Sequence, residues 1–330
     1  TLSLIQHSQF ERVSQRVMQI IAGFAAGHDS RFLRRDPAIK LAVGRNPLTG
    51  ADLASQPTES RLETERNYKE LYRICQWLVD YYIQCQPKPP KHLILDCDGS
   101  AIETFGLQLQ AFYRGGPYKK CMYFPLFVFD QNGWLLVAAL RPGDQGEVQL
   151  ALPVLKRLVA RLRQAWSEVK ITVRADGAFT DPELYKWLDD NGVQYVLGLK
   201  DNNALKSKTR DYVRKAEQKF KRAFKQPRFV GKKGNKLKIA AEKEIRSTSN
   251  RTERHKRHED EQHRSVRVYG DFLYAARTWD RQRRVIARCD FTDKGLDVRY
   301  IVTNFKHFTA EHIYREVYCR RAHAETWIKY

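Results

Sequence analysis

The sequence predicts an α/β protein with an all-α N-terminal domain and a second part that contains a basic, β-rich insertion. Three observations support this class. Apolar residues recur at intervals of three and four before residue 86, whereas short apolar runs alternate with helical patterns after residue 91. A proline-rich linker at 87–91 separates the two patterns. From Lys200 onward the composition becomes strongly basic, and three further apolar runs follow at 266–304.

The composition indicates a globular protein that binds a polyanion. Of the 330 residues, 42% are hydrophobic, and the formal net charge is +21. Such an excess of positive charge is typical of proteins that bind nucleic acid, with an anionic membrane surface as the competing partner. No apolar run reaches the ~18 residues of a membrane-spanning helix, and no signal peptide is visible. Six scattered cysteines without a Cys-x-x-Cys pair indicate reduced thiols, so we expect a cytoplasmic protein.

Residues 1–86 are predicted to form the helical N-terminal domain. Residues 9–24 place apolar side chains on one helical face, and short helices and turns with exposed arginines are expected over 27–57. Ser60 and Glu63 have the spacing of a capping box, so a long helix is expected to begin there and to end before the linker. This domain could contact DNA or mediate dimerisation, and the sequence does not separate the two.

The second part contains strands and helices in the order β-β-β-α-β-α-β. A hairpin-connected antiparallel half is thereby joined to a parallel half, which is the strand order of a ribonuclease-H-like core. Asn132-Gly133 between two apolar runs is a strong hairpin signal. We therefore expect the core in 92–200 and 306–330, with the insertion at 201–305 between them. The strands are predicted at 92–98, 121–130, 134–140, 169–175 and 193–199, and the helices at 147–166 and from Asp181 onward.

Carboxylates follow two strands that this topology makes neighbours. Asp96 and Asp98 lie on one face at the end of the first strand, and Asp176 ends the strand after the first helix. An aspartate followed by Gly-Ser is also ordinary turn chemistry, and alone the first of these stretches favours that interpretation. Because the two strands are expected to be parallel and adjacent, their carboxyl ends meet, which favours a metal site. Oxygen-only ligands indicate Mg²⁺ or Mn²⁺ rather than zinc.

The stretch from Lys200 to about Arg267 is the most basic part of the chain. Lysine and arginine outnumber aspartate and glutamate there by more than two to one, which suits contacts to phosphates but also suits a solvated insertion. Trp279 lies at the tip between the first two of the strands that follow, where it either caps a small core or stacks on a base. These short strands are expected at 266–276, 283–290 and 297–304.

The predicted C-terminal helix, 311–330, carries one stripe of polar and aromatic residues. They are Tyr314, Tyr318, Arg321, Glu325 and Lys329. Glu325 adjoins an apolar face, where an unpaired carboxylate would cost on the order of several kcal/mol. Arg321, one turn earlier, could pair with it; alternatively, the helix brings Glu325 to the aspartates as a third metal ligand. The chain begins on Thr1 rather than Met and stops inside this helix, so we expect a piece of a longer protein.

These motifs resemble those of the DDE transposases of bacterial insertion sequences. Asp98-Gly-Ser after an apolar strand resembles the family's first motif, and Arg-Ala-Asp176-Gly-Ala-Phe resembles the second. Tyr318, Arg321 and Glu325 fit its Tyr-x2-Arg-x3-Glu signature, whose final lysine would fall just beyond the last residue of the chain. Similar phrases, such as RRDPAIKLAVGR and MYFPLFVFD, run through nearly the whole sequence. Within the family, the chain is similar to the cut-and-paste branch with a β-rich insertion, the insertion sequence 1380 group.

The resemblance implies a two-metal mechanism. Asp98, Asp176 and Glu325 would hold two Mg²⁺ ions about 3.5–4 Å apart, and Mn²⁺ would be able to substitute. One ion would activate the nucleophile, and the other would stabilise the leaving oxygen. Water would attack at the terminal inverted repeat of the transposon. The freed 3′-hydroxyl would then attack phosphodiesters, directly for strand transfer into target DNA or through a hairpin intermediate.

The resemblance also implies roles for residues around this centre. Tyr318, Arg321 and Lys329 would bind the phosphates beside the scissile bond, and Trp279 would stack on a flipped base. Asp96 is left open as a supporting group or an auxiliary metal ligand. The active unit is expected to be a homodimer assembled on double-stranded DNA, associated with the nucleoid of a bacterium.

Two other functions share part of this pattern. A nuclease with a ribonuclease-H fold would share the three carboxylates, but it would not need the long insertion or the Tyr-Arg-Glu helix, and it would join no ends. A transposase derivative that only binds DNA is the third interpretation. The three intact carboxylates argue against it, because a protein that has lost activity usually loses at least one of them.

Overall fold

The chain folds into two compact units, Thr1–Trp77 and Leu78–Tyr330. The computed structural model describes residues 6–146, 148–224 and 265–329. The division falls before the proline linker at which the sequence places it, because Val79 and Tyr82 are buried in the core of the second unit. In the described ranges, no helix is both long and apolar enough to cross a membrane.

The described part of the N-terminal unit is helical, as the sequence predicts. A capping box starts its first helix, because the Ser8 hydroxyl accepts from the backbone of Glu11 while the Glu11 carboxylate accepts from the backbone of Ser8. The helices are α1 (Gln9–Ile21), α2 (Ser30–Leu33), α3 (Pro37–Ala42), α4 (Gln56–Thr64) and the first part of α5 (Tyr68–Cys85), with a 3₁₀ turn at Gly27–Asp29.

The predicted capping box at Ser60 and Glu63 is wrong, since both residues lie inside α4. The long helix expected there is interrupted after α4, and α5 starts at a different cap. The side chain of Asn67 accepts from the backbone of Glu70 at 3.1 Å, and the Glu70 carboxylate accepts from the backbone of Asn67 at 3.0 Å. The same reciprocal chemistry therefore occurs seven residues later with asparagine in place of serine.

Helix α1 turns its apolar stripe outward. Val13, Val17 and Ile20 are 45%, 46% and 52% exposed, whereas Gln15 and Gln19 are buried. The buried amide of Gln15 exchanges two hydrogen bonds with the backbone of Ala54, at 2.8 and 2.9 Å. Because burial of an amide requires such partners, the polar face of α1 is held inward by this backbone pairing.

An eight-stranded mixed sheet forms the frame of the second unit, in the order β6-β5-β1-β7-β8-β11-β10-β9. Strand β1 pairs antiparallel with β5 and parallel with β7, and β7 pairs parallel with β8. The predicted parallel neighbourhood of the first strand and the strand after the first helix is therefore confirmed. The strands are β1 (His92–Gly99), β5 (Leu126–Asp130), β6 (Leu135–Ala139), β7 (Lys170–Ala175), β8 (Gln194–Leu199), β9 (Ser265–Tyr274), β10 (Arg283–Thr292) and β11 (Gly295–Thr303).

The run 121–130, predicted as one strand, is divided at Pro125. Its first part, β4 (Lys120–Tyr123), lies between two short strands in a separate small sheet, and its second part is β5. Proline has no N–H to donate to a ladder, so it marks the point where the chain leaves one sheet for the other. The small sheet was not predicted, and its outer strands are β2 (Ile102–Glu103) and β3 (Phe112–Arg114).

The three strands after the basic stretch extend the main sheet. Strand β11 pairs antiparallel with β8, and β10 pairs with both β11 and β9. The predicted strands therefore exist, and they are continuous with the core sheet rather than a separate layer. Residues 225–264, which carry much of the predicted basic insertion, lie outside the described part of the chain.

Helical segments cover both faces of this sheet. On one face, the apolar sides of the helices pack on residues such as Leu95, Val173 and Leu197. On the other face, Ile313 and Tyr314 pack on Val196, Ile286 and Ile301. The first face carries α6 (Ala151–Ala165), α7 (Pro182–Asp190) and α8 (Asn203–Ala223), and the second carries α9 (Ala310–His312), a π-helical segment (Ile313–Tyr318), a 3₁₀ turn (Cys319–Arg321) and α10 (Ala322–Lys329).

A buried carboxyl group destabilises the N-terminal unit at neutral pH. Glu59 on α4 is 1% exposed, and neither of its carboxylate oxygens has a hydrogen-bond partner among the described residues. Burial raises its pKa from 4.5 to about 7, against the opposing charges of Arg12 and Arg16. A carboxyl group whose pKa is higher in the folded chain stabilises the fold only while it is protonated. The stabilisation is therefore complete below about pH 4.5 and is lost as the pH rises to about 7.

We predict that Glu59→Gln raises the melting temperature of the N-terminal unit at pH 8 by at least about 4 °C, since 1 kcal/mol corresponds to about 4–8 °C in a unit of this size. Near pH 4.5 the variant and the parent protein should melt together, because both side chains are then neutral. Differential scanning calorimetry at the two pH values measures this. Glu65→Gln, at an exposed position that ends the same helix, is the control. A gain that is equal at both pH values would contradict the assignment.

Candidate active site

Two aspartates meet at the carboxyl edge of the sheet. The parallel register of β1 and β7 pairs Asp96 with Arg174 and Cys97 with Ala175. Asp98 and Asp176 follow at the next position of each strand, so the expected meeting of the two strand ends is confirmed. Both residues are half-buried. The edge of the sheet therefore carries two carboxylates from segments nearly 80 residues apart in the sequence.

Asp98 is in an environment that disfavours its charge. Burial raises its pKa to about 6, and repulsion by Asp176 and Glu325 contributes in the same direction. The Arg321 guanidinium and the backbone N–H of Gly99, at 2.9 Å from Oδ1, oppose this rise. The pKa of Asp98 therefore responds to both other predicted ligands, which places the three carboxylates in one electrostatic environment.

Asp176 is fixed by the turn that follows its strand. It caps a 3₁₀ turn, Gly177–Phe179, where Oδ1 accepts from the backbone N–H of Ala178 at 2.9 Å. One oxygen of this aspartate therefore serves ordinary turn chemistry. The turn also fixes the direction of the carboxylate, which is the kind of constraint that a ligand or a general base needs.

Glu325 enters from α10 on the second face of the sheet. Its carboxylate forms an ion pair with Arg321 at 3.1 Å, and its side chain is 50% exposed. The ion pair between Glu325 and Arg321, which the sequence suggested as the alternative to metal binding by Glu325, is therefore present. It does not remove Glu325 from the carboxylate group, because Glu325 and the two aspartates all act on the charge of Arg321.

Arg321 is the positive charge at the centre of this group. Burial alone would lower its pKa, but the surrounding negative groups raise it. Its guanidinium also lies 5.6 Å from the centre of the Tyr318 ring, and its side chain is only 19% exposed. A planar guanidinium held in this way is suited to bidentate contact with a phosphate that approaches from solvent.

Asp96 lies in a different environment from Asp98. It is fully buried, and both of its oxygens accept from Arg174, at 2.6 Å from Nε and 2.5 Å from Nη2. The remaining Nη1 of Arg174 donates to the backbone carbonyl of Val317 at 2.8 Å. The interpretation of Asp96 as a supporting group therefore fits the geometry better than that of an auxiliary metal ligand.

The contact to Val317 connects this buried pair to the segment that carries the other site residues. Val317 is in the π-helical segment directly before Tyr318, Arg321 and Glu325. π-Helical turns change the direction of the side chains that follow and are frequent at functional sites. Arg174 therefore ties β1, β7 and the C-terminal helical segment into one frame.

The chemistry of the donor set fits a divalent cation. Within 6–146, 148–224 and 265–329, no three His, Cys, Asp or Glu side chains lie close enough together to hold a metal ion. All three candidate ligands are nevertheless oxygen donors, which Mg²⁺ prefers. A cation bound beside Asp98 would offset the burial and the acidic neighbours that raise the pKa of this carboxyl group. The residues present are therefore suited to a hard metal ion.

Two close contacts that sequence reasoning missed position these groups. A Cβ atom on Gly198 of β8 would lie 2.4 Å from the Gly177 nitrogen and 2.8 Å from the Tyr318 hydroxyl. A Cβ atom on Gly133, which has φ +94°, would lie 2.9 Å from the ring of Trp327 on α10. A glycine inside a strand signals close backbone approach, so Gly198 was detectable. Nothing in the local sequence predicts the contact between the hairpin turn at Gly133 and Trp327.

Trp279 lies apart from the carboxylates, whereas Lys329 lies one helical turn beyond Glu325. Trp279 packs edge-on against Tyr185 and Tyr274, with ring centres 5.2 and 5.4 Å away. Arg283, which lies over this ring, also bonds to Tyr195 at the amino end of β8, the end opposite to Asp176 and Gly198. This packing agrees with the prediction that Trp279 caps a small core. Base stacking by Trp279 stays a prediction. Lys329 is exposed at the end of α10.

Comparison with known proteins gives a family for the whole chain. The sequence pattern of the family described as transposase DDE domain group 1 matches residues 1–330. No curated protein matches the chain. A solved structure of piggyBac transposase, in a synaptic complex with hairpin DNA, is similar at 11% sequence identity and a TM-score of 0.39, over 83% of this chain and 47% of that chain. The chain thus spans about half the length of that protein.

Mos1 transposase structures are similar over a smaller share. The paired-end complex with the left transposon end has 13% identity and a TM-score of 0.23, covering 58% of this chain and 59% of that chain. A pre-cleavage Mos1 transpososome has 12% identity and a TM-score of 0.22, covering 58% and 60%.

The arginine that links the sheet to the C-terminal segment generates a prediction. Arg174→Lys should lower the free energy of unfolding by about 1.5–3 kcal/mol, because lysine cannot donate to both Asp96 oxygens and to Val317 at once. Hydrogen exchange of amides in 313–329 should accelerate more than that of amides in α6. Urea unfolding and exchange mass spectrometry measure the two effects.

Arg267→Lys is the matched control for this variant. Arg267 also binds both oxygens of an aspartate, Asp290, but its side chain is 44% exposed and lies on β9. Asp290 is also paired with Arg288 at 3.2 Å, and the Arg267 side chain is half exposed, so the control should lose less stability than Arg174→Lys. If Arg174→Lys left exchange in 313–329 unchanged, the proposed link between the sheet and this segment would be wrong.

Proposed function

Because the chain belongs to the family of transposase DDE domains, we propose that it is a DNA transposase. It would cleave DNA at the terminal inverted repeats of a transposon and transfer the freed strand into target DNA. The observation that carries this proposal is the meeting of Asp98 and Asp176 at the carboxyl ends of two parallel strands, with Glu325 paired to Arg321 beside them. Three carboxylates from two adjacent strands and a helix are the constellation that phosphodiester transfer by this family requires.

The strand order supports a ribonuclease-H-like core for this activity. The order β6-β5-β1-β7-β8, with its antiparallel and parallel halves, agrees with the order predicted from the sequence. In an α/β sheet of this kind, ligands bind at the carboxyl ends of the parallel strands, where Asp98 and Asp176 lie. Strands β9 to β11 would then be the β-rich insertion, joined to the edge of the core sheet.

Asp98, Asp176 and Glu325 are the residues that would hold the divalent cations, with Mg²⁺ as the expected ion and Mn²⁺ as a substitute. Bound there, the metal supplies Lewis-acid polarisation of the phosphate and a nucleophile at neutral pH. The protein contributes the fixed geometry. Asp176 is oriented by its turn, and Arg174 holds the backbone that precedes Arg321 and Glu325. The neighbouring Asp96 would act through Arg174 and not as a ligand.

Tyr318, Arg321 and Lys329 would contact the phosphates beside the scissile bond. Arg321 is half-buried beside the carboxylates and can present its fork to a phosphate, while Tyr318 supports the guanidinium from one side. Lys329 would act as a more distant point charge. A base-stacking role for Trp279 rests on the family resemblance alone.

The partner would be double-stranded DNA, namely the transposon ends and the target in the bacterial nucleoid. A homodimer assembled on two ends is the expected active unit, and a hairpin intermediate is the expected route of the cut-and-paste branch. The N-terminal unit would contribute DNA contact or dimerisation through its arginine-rich surface. Arg31, Arg34 and Arg35 line a cavity of about 580 Å³ there.

A strand-transfer assay tests the proposed function. Protein, Mg²⁺, labelled terminal-repeat DNA and a supercoiled plasmid are mixed, and joined products are resolved on a gel. Cleavage with joining is the expected result. Cleavage without joining would favour a nuclease with the same core, and binding without cleavage would favour a derivative that only binds DNA.

In the same assay, Asp98→Asn, Asp176→Asn and Glu325→Gln should each reduce cleavage by at least about a thousandfold while DNA binding is retained, because each removes one anionic metal ligand. Glu316→Gln, in the same C-terminal segment and paired only with Arg320 among described residues, is the control. Cleavage near the parental level in any of the three variants would refute the site assignment.

Gly198→Ala should lower the cleavage rate by at least about tenfold, since a 1 Å displacement of an active-site group can cost a hundredfold. The added methyl would meet backbone at 2.4 Å and must displace the turn after Asp176 or the Tyr318 side chain. Gly115→Ala is the matched control, because nothing lies within 4 Å of a Cβ atom there. Single-turnover kinetics measures the effect. Equal rates in both variants would show that this contact does not position the site.

A further inference from the structure

A basic groove leads away from the carboxylates along the strands that extend the sheet. It consists of two adjoining cavities of about 730 and 850 Å³, which share Asp201, Val298 and Tyr300 in their linings. We call this feature the β11 groove, because residues of β11 line both cavities. Its first cavity begins at Gly177 and Gly198, directly beside Asp176.

The first cavity joins the active-site residues to the outer strands. Tyr318 and Arg321 line it on one side, and Arg288 of β10 and Arg299 of β11 line it on the other. Gly177 and Gly198 line its inner end, so the cavity opens directly beside Asp176. A chain that enters the active site can therefore continue into this cavity without a change of surface.

The second cavity lies between β11 and α8, on the opposite face of the sheet. It adjoins the first cavity where β8 ends at Leu199 and β11 extends beyond it. Lys206, Arg210 and Arg214 project from successive turns of α8 along its wall. Arg210 and Arg214 are exposed. Their spacing of four residues gives a rise of about 6 Å along the helix, which is close to the distance between successive phosphates of an extended strand.

Positive charge exceeds negative charge along the whole groove. Seven lysine and arginine side chains line the two cavities, against three aspartate and glutamate side chains. Two of the three acidic residues form ion pairs with cations of the groove. Asp297 binds both Arg288 at 3.3 Å and Arg299 at 3.0 Å, and Asp201 binds Lys206 at 2.6 Å. The acids therefore orient the cations on the groove wall and leave a net positive surface.

We propose that the β11 groove binds the phosphodiester backbone of a DNA strand that extends from the active site. This inference rests on the proposed function for the identity of the ligand. A solvated basic face would not need to form a concave channel, and it would not need to open beside Asp176 and Arg321. Concave shape, excess charge and continuity with the carboxylates all favour a polyanionic chain over a small ion. The same chemistry suits the strand beyond the transposon end and a strand of target DNA.

The salt dependence of DNA binding tests this proposal. Each phosphate contact contributes about −0.9 to the slope of log K against log salt concentration. Arg210→Ala/Arg214→Ala should therefore make the slope shallower by about 2 and weaken binding at 0.1 M salt by at least about tenfold. Fluorescence anisotropy with the full chain, from 0.05 to 0.4 M NaCl, measures both quantities. Arg210→Lys/Arg214→Lys should keep the parental slope, because the charges are retained.

Lys156→Ala/Lys170→Ala is the matched control. Both lysines are exposed, Lys156 on α6 and Lys170 at the amino end of β7, away from the groove. This control should bind with the parental slope. If Arg210→Ala/Arg214→Ala also binds with the parental slope and affinity, the β11 groove is not a DNA track. Near-identical melting curves for the parent and both alanine variants are expected, since all four side chains are exposed.

Two probes separate the sources of the strand. One is a terminal-repeat duplex with flanking DNA, and the other is an unrelated duplex of equal length. A loss confined to the terminal-repeat probe assigns the groove to the transposon end, and an equal loss on both assigns it to target DNA. Failure of the parent protein to cleave or join DNA would overturn the proposed function while leaving a changed slope as support for the groove. Failure of the parent to bind either probe would overturn both.

Discussion

A buried carboxylate–guanidinium pair determines how the parts of the active site meet. Removing Asp96 and Arg174 from water is costly unless every donor and acceptor is used. Asp96 uses both oxygens on Arg174, and Arg174 uses its remaining nitrogen on Val317. Asp96 lies 78 residues before Arg174 in the sequence, and Val317 lies 143 residues after it. These contacts specify one arrangement of two strands and the C-terminal segment, and this arrangement positions the carboxylates.

Arg321 offsets the negative charges of the three carboxylates Asp98, Asp176 and Glu325. Burial and acidic neighbours raise the pKa of Asp98, so a nearby cation would stabilise its ionised form. Arg321 provides part of that positive charge and stays able to bind an incoming anion, because its side chain is not fully enclosed. Under the proposed function, the guanidinium of Arg321 would contact both Glu325 and a phosphate of DNA.

The sequence allowed the adjacency of Asp98 and Asp176 to be predicted, because parallel neighbouring strands must end at the same edge. It also gave the helix of Glu325 and the strands β9 to β11. It did not give the partner of Asp96, since cross-strand register depends on packing between distant segments. The break before α5 was not predicted, because the spacing of Ser60 and Glu63 also fits a capping box. The reciprocal cap forms instead at Asn67 and Glu70. Pro125 indicates a break, because proline cannot donate to a strand ladder, but the continuous apolar run around it favoured the prediction of a single strand.

The attachment of β11 to β8 has a mechanical consequence for the groove. Tyr300, Ile301, Val302 and Thr303 pair with β8 residues that lead directly to Gly198 and the turn after Asp176. Arg299, one residue before this paired run, is therefore fixed relative to the carboxylates by ladder hydrogen bonds and not by a flexible linker. A backbone held by such cations would be aligned before chemistry begins, which lowers the entropy that must be lost at the reacting phosphate. Extension of the core sheet by the outer strands thus places the proposed DNA path on the same sheet as the carboxylates.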